Sequence, residues 1–224
     1  MRVAKIVDLS LVLDPESQVY PGDPQPSFSV ATTISEEGYN LLSLHLGSQS
    51  GTHVDSPYHF LDAGPVLEGC PLSLFVGPGV VIDVQGHEPR TPIEWDELEQ
   101  YASQFQSGTI AVLRTGWSDA HYGTDRYFDH PYLSADACAR LVSLGVRTFL
   151  TDCINLDETV LDPEAALSFP CHDLIAAAGG IISENITNLG AIDFDEPLIS
   201  LMPIRLGGDA DGAPCRAVAL RVEP

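Results

Sequence analysis

A chain of 224 residues is long enough to bury a substantial core and short enough to form one domain over residues 1–224. Ten basic residues stand against 32 acidic ones, a formal net charge of -22, and a surface of that sign repels phosphate backbones and anionic lipid, which argues against nucleic-acid and membrane partners. No apolar run approaches the roughly 18 residues of a membrane span, and Met1 to Leu9 reads as an opening strand instead of a secretory leader, so a cytoplasmic protein is expected.

Ile6 to Val12 alternates apolar with polar as a strand does, and Asp14-Pro15-Glu16 breaks it. The turn-forming run Val19-Tyr20-Pro21-Gly22-Asp23-Pro24 follows, with one aromatic. From Leu42 the alternation of Leu42, Leu44 and Leu46 with Ser43, His45 and Gly47 predicts a half-buried strand with its leucines inward. If that strand stays regular, its odd-numbered face carries Gln49, Gly51, His53 and Asp55 together, with Gly47 and Gly51 as points where it would bulge. An amide, an imidazole and a carboxylate on one face form a cluster of metal-ligand types, and Gly51 would admit an ion or substrate to the backbone between them.

Val76 to Val84 predicts a buried strand. Thr91-Pro92-Ile93-Glu94 supplies an N-cap, a first-turn proline and a capping glutamate for a helix to about Phe105, with Trp95, Leu98, Ala102 and Phe105 inward. Thr109 to Arg114 is a second buried strand running into Thr115-Gly116-Trp117, and a helix capped by Ser134 stops at Gly145 before a strand at Thr148–Asp152. A short helix from Phe169-Pro170-Cys171-His172 ends at Gly179-Gly180, and Ile181 to Asn185 is a strand. A helix turning back onto that strand could bring His172 to Glu184. Leu198 to Ile204 and Ala217 to Val222 are the last strands, and Gly207 to Gly212, which lacks calcium-loop spacing, reads as a turn. Strands alternating with helices predict an α/β layered domain. Cys70, Cys138, Cys153, Cys171 and Cys215 show no paired spacing, so small buried thiols are expected, and nothing local marks Cys171 as a nucleophile.

Tyr20-Pro21-Gly22-Asp23, the run Gly51-Thr52-His53-Val54-Asp55-Ser56-Pro57-Tyr58-His59-Phe60, Arg114-Thr115-Gly116-Trp117, and His172 with Ile182-Ser183-Glu184-Asn185 together resemble the metal-dependent cyclase-like hydrolases, the family of bacterial kynurenine formamidase and isatin hydrolase. The matching pieces keep the family's order over nearly the whole chain. The resemblance implies a swivelling β/β/α-type single domain with a mostly buried mixed sheet flanked by helices, and a homodimer or homotetramer. It implies His53, Asp55, His172 and Glu184 as ligands of a divalent ion, with Asp55 and Glu184 bridging if two ions bind. It implies His59 as catalytic acid/base and Tyr20 as the contact for an aryl substrate, and Trp117 is a second ring such a substrate could lie against. One departure stands out: the formamidase pattern has a histidine four residues before His53, and here that position is Gln49. An amide oxygen is a weaker, harder ligand than imidazole, which favours one ion over a tight two-zinc site, or manganese over zinc.

Such a site is coherent with hydrolysis of an aryl formamide, lactam or related cyclic amide, in which a bound ion acidifies water and polarises the carbonyl while His59 shuttles the proton. Two rivals are a cyclase or dehydratase of secondary metabolism using the ion as Lewis acid, and a binding protein that has lost catalysis. His45, His87, His121 and His130 are expected at the surface or behind the ligands.

Overall fold

Buried at nearly every position, the runs Ile110–Arg114, Thr148–Thr151 and Ile181–Glu184 need cover on both faces, and they lie at the parallel centre of one mixed sheet. The computed structural model describes residues 2–162 and 164–224; Met1, part of the expected opening strand, lies outside them. Its strands are β1 (Arg2–Asp8), β2 (Ser27–Thr32), β3 (Leu41–His45), β4 (His53–Asp55), β5 (Val76–Asp83), β6 (Pro92–Ile93) and β7 (Ile110–Arg114). There follow β8 (Tyr132–Leu133), β9 (Thr148–Thr151), β10 (Ile181–Glu184), β11 (Leu198–Ser200), β12 (Gly212–Pro214) and β13 (Val218–Glu223). The helices are α1 (Ile34–Glu37), α2 (Trp95–Leu98), α3 (Trp117–His121), α4 (Ala135–Ser143) and α5 (Pro170–Ala177).

Among the described residues the main sheet has nine strands in the order β1-β13-β11-β5-β7-β9-β10-β4-β12. β5, β7, β9 and β10 run parallel, and antiparallel strands extend the sheet on both sides. Alternation along the central strands feeds two cores. Ala111, Leu113, Phe149 and Ile182 pack under α4 and α5 with Leu141 and Ile175, while Ile110, Val112, Leu150 and Ile181 face Val54, Phe75 and Ile199 on the other side. This is the expected α/β domain with a mixed, mostly buried sheet. Among the described residues no helix is long and apolar enough to cross a membrane.

Several local expectations are corrected. The opening strand ends at Asp8 instead of running to Val12. Among the described residues β3 pairs only with β2, outside the main sheet, so Leu42 and Leu44 are each 56% exposed despite a perfect alternating pattern. A two-stranded ribbon has an apolar face but no second layer to bury it. Pro92-Ile93 pairs with β8 instead of opening a helix, and Glu94, not Thr91, caps α2 with Glu97 closing the box. The α4 boundaries match the Ser134 cap, whose hydroxyl accepts from the Ala137 N–H. All five cysteines are free and four are buried.

Candidate active site

β4 lies between β10 and β12, with His53 opposite Glu184 on one side and Asp55 opposite Gly212 on the other. His53 and Asp55 share a face while Val54 enters the core behind them, as the two-residue period requires. That part of the expectation holds, although β4 is a separate strand and not a continuation of β3. Gly51 has φ +64, and its freedom serves a different end from ligand access. The turn aims its carbonyl so that it accepts from the His53 Nδ1–H at 2.8 Å and the Asn185 Nδ2–H at 3.1 Å.

α5 delivers His172 from its first turn. Asp157 holds it there: one carboxylate oxygen accepts the Cys171 N–H at 2.9 Å, the other accepts the His172 N–H at 3.1 Å and its Nδ1–H at 2.7 Å. With Nδ1 committed in both imidazoles, each Nε2 is turned toward the carboxylates. His53 Nε2 lies 3.4 Å from Asp55 Oδ1 and 3.8 Å from Glu184 Oε2, whereas His172 Nε2 lies 3.7 Å from Asp55 Oδ2 and 3.4 Å from Glu184 Oε1. Each carboxylate therefore offers one oxygen to each imidazole. Glu184 Oε1 is further fixed by the Leu156 N–H at 2.7 Å.

All four side chains are buried, so the electrostatics are strong. Burial pushes the His53 pKa down, but the Asp55 and Glu184 carboxylates reverse this and hold it at about 9. Burial likewise opposes charge on His172, and Asp157, Asp55 and Glu184 raise it well above the usual histidine range. Burial works against ionised Asp55, yet His53 and His172 hold it well below the ordinary carboxylate value. The carboxylates thus draw positive charge to the point between the two rings. Among the described residues, Asp55 Oδ1 is buried with no hydrogen-bond partner, as is Gln49 Oε1 at the edge of the same cluster. His53, Asp55 and Glu184 each offer a ligand atom within 4.8 Å of the others, and this donor set beside orphaned oxygens fits a divalent ion.

His59 ends the short turn Pro57–His59, where Pro57 presets the backbone and the His59 N–H reaches the Ser56 carbonyl. Its Nδ1 is 2.9 Å from Asp211 Oδ2. Burial lowers the His59 pKa, but the hydrogen bond to Asp211 and the field of Asp55 carry it above the ordinary value. His53, Asp55, His172, Glu184 and His59 line a cleft of about 220 Å³ whose wall includes Tyr20, Phe60 and Phe169. Phe60 lies edge-on to His59 at 4.7 Å and 4.4 Å from His172, and Phe169 stands between Phe60 at 5.0 Å and Tyr20 at 6.4 Å. This aromatic wall can take a planar aryl group.

The structure brings together His53, Asp55, His59, His172, Glu184, Gln49 and Tyr20 at this cleft. Trp117 does not join them. Its indole N–H donates to the Tyr127 carbonyl at 3.1 Å and its ring packs with Tyr127, Cys153 and Ile154, because Gly116 at φ +75 turns the chain into α3 away from the cleft. His87 pairs with Glu97, His121 stacks on Trp117, and His130 is buried against Thr159 and the Pro131 carbonyl, so His130 belongs to the interior and not the surface. Sequence reasoning missed Asp157, Asn185, Phe169 and Asp211. No local signal marks Asp157 or Asp211, since each meets its histidine through a tertiary contact.

Residues 7–158 match the Cyclase family model, described as "Putative cyclase". The kynurenine formamidase of Bacillus mycoides (strain KBAB4) is 31% identical over 220 residues, covering 97% of this chain and 98% of the relative. Among solved structures, an isatin hydrolase bound to the product analogue thioisatinate superposes with a TM-score of 0.85 at 21% identity, over 98% of this chain and 93% of that one. A potential metal-dependent hydrolase with cyclase activity superposes at 0.78 with 23% identity, over 98% and 99%.

Proposed function

The chain belongs to the Cyclase family, and on that premise we propose that it is a metal-dependent hydrolase of an aryl formamide, lactam or related cyclic amide. The observation that carries this is the convergence of two imidazole Nε2 atoms, each with its Nδ1 tied down, on the paired oxygens of Asp55 and Glu184, beside a histidine held by an aspartate. His53, Asp55, His172 and Glu184 would hold the ion, with the free Gln49 oxygen as an additional weak donor. The sharing of each carboxylate between the two histidines supports room for two ions; the amide at position 49 favours one, or manganese over zinc. When bound, such an ion supplies an acidified water and a Lewis acid for the carbonyl.

The chain's own residues do the rest. His59 Nε2 takes a proton from the attacking water and returns it to the leaving nitrogen, the role its position at the cleft and its tied Nδ1 suit. Tyr20, Phe60 and Phe169 hold the aryl group and exclude water from its faces. The exposed apolar face of the β2–β3 ribbon, with Val30, Leu42 and Leu44, supports self-association as a homodimer or homotetramer. Metal analysis of the purified protein, with N-formylkynurenine, isatin and simple lactones assayed in parallel, tests the reading. His59→Ala should keep the metal and lose turnover by about 10²-fold or more. Retained activity in that variant would overturn the assignment, and a cyclase would hydrolyse none of the panel.

A further inference from the structure

The loop before β12 puts Asp211 where no sequence motif announces it. Its backbone is pinned to the segment that carries His59: the Asp211 carbonyl accepts the Ser56 N–H at 2.8 Å and the Ser56 hydroxyl at 3.0 Å, and the preceding Ala210 carbonyl accepts the Leu67 N–H at 2.9 Å. Gly212, next in the chain, pairs with Asp55, and a Cβ there would meet the Val54 carbonyl at 2.6 Å and the Gln49 amide at 2.7 Å. The loop therefore approaches β4 as closely as backbone allows. Its carboxylate has two donors on one oxygen: His59 Nδ1 at 2.9 Å and Gln49 Nε2 at 3.1 Å.

We propose that Asp211 is the positioning residue of the acid/base, holding His59 in the tautomer that leaves Nε2 free, with Gln49 as the clamp that fixes the aspartate. The inference rests on the acid/base role given to His59 above. Asp211 is acceptor-only when ionised, so it selects the Nδ1–H form of the ring and stops it rotating out of the cleft. The Nδ1 proton stays on the ring throughout; only Nε2 exchanges a proton with water and leaving group, and Asp211 itself takes none. Gln49 explains its own place in the arrangement. Its amide nitrogen donates to Asp211 at 3.1 Å and lies 3.4 Å from His59 Nδ1, so it braces both members of the pair while its oxygen has no partner among the described residues.

The test is a double-mutant cycle with a spectroscopic arm. Asp211→Ala should lower kcat by about 10²-fold with KM within about twofold and metal content unchanged. The loss is smaller than the roughly 10⁴-fold seen where a fully buried aspartate fixes a triad histidine, because the Asp211 side chain is 33% exposed. On a His59→Ala background the same change should cost nothing further, since its effect passes through the ring. Nitrogen-15 NMR of the metal-free protein, at a pH high enough to leave His59 neutral, should report the Nδ1–H tautomer, shifting toward Nε2–H in Asp211→Ala. An equal loss in both backgrounds, unchanged kcat in Asp211→Ala, or an Nε2–H tautomer in the native protein would overturn the proposal. Should the native enzyme turn over no amide at all, the functional reading falls, while the tautomer measurement still decides the role of Asp211.

Discussion

Asp157→Ala attacks the joint between α5 and the ligand cluster. It strands three buried donors, the Cys171 and His172 backbone N–H groups and His172 Nδ1–H. Each unsatisfied buried donor costs about 1–3 kcal/mol, and with partial relaxation the sum is about 4 kcal/mol, a large share of the roughly 5–15 kcal/mol that a domain has. If His172 is a ligand as proposed, loss of the carboxylate behind its imidazole should also weaken metal binding by about 10–100-fold. Asp157→Asn separates the two effects. One amide oxygen cannot serve both Cys171 and His172, so a donor faces an NH₂ group, and the expected stability loss is about 2 kcal/mol while metal affinity still falls about tenfold. Urea unfolding of the metal-free protein measures the first, and competition with a chelator the second. Native metal affinity in both variants would refute the view that Asp157 orients His172.

Four further outcomes follow from the same geometry. Neutral His130, buried between the Pro131 carbonyl and the Thr159 hydroxyl, is held down to about 4 by burial, with Arg90 adding to the effect and Asp129 and Asp157 opposing it. The unfolded chain therefore binds more protons between about pH 6.5 and 4, so stability should fall by about 3 kcal/mol as pH drops through that window. His130→Gln should flatten that slope in pH-dependent denaturation, and an unchanged slope would count against it. Gln49→His should raise zinc affinity by about tenfold in chelator competition, because imidazole replaces an amide oxygen; equal affinity would remove position 49 from the ligand set. Leu42→Asp with Leu44→Asp should shift the protein to monomer in analytical ultracentrifugation without loss of secondary structure, and an unaltered assembly would clear the ribbon of that role. Gly212→Ala should lower kcat and stability together, by about 2 kcal/mol in unfolding, since its Cβ would lie 2.6 Å from the Val54 carbonyl.

Where a residue's role depends on its neighbours along the chain, the sequence determined it. The period-two pattern at His53-Val54-Asp55 put two ligand types on one face, Pro57 set the turn to His59, Ser134 began α4, and the buried runs at Val76, Thr109, Thr148 and Ile181 became the centre of the sheet. Roles that depend on partners far away in sequence were decided only by the tertiary structure. The leucines of β3 alternate like a core-facing strand, but the ribbon joins no second layer. Trp117 follows a motif strand, but a left-handed glycine turns it into a different cluster. Asp157 meets His172 across 15 residues and Asp211 meets His59 across 152, and no local pattern records such a meeting because alternation and capping report only a residue's own backbone. Gln49 shows both limits at once. Its identity marked the position as unusual, and only the pairing of β12 beside β4 decided that its nitrogen would be spent on Asp211, leaving its oxygen free.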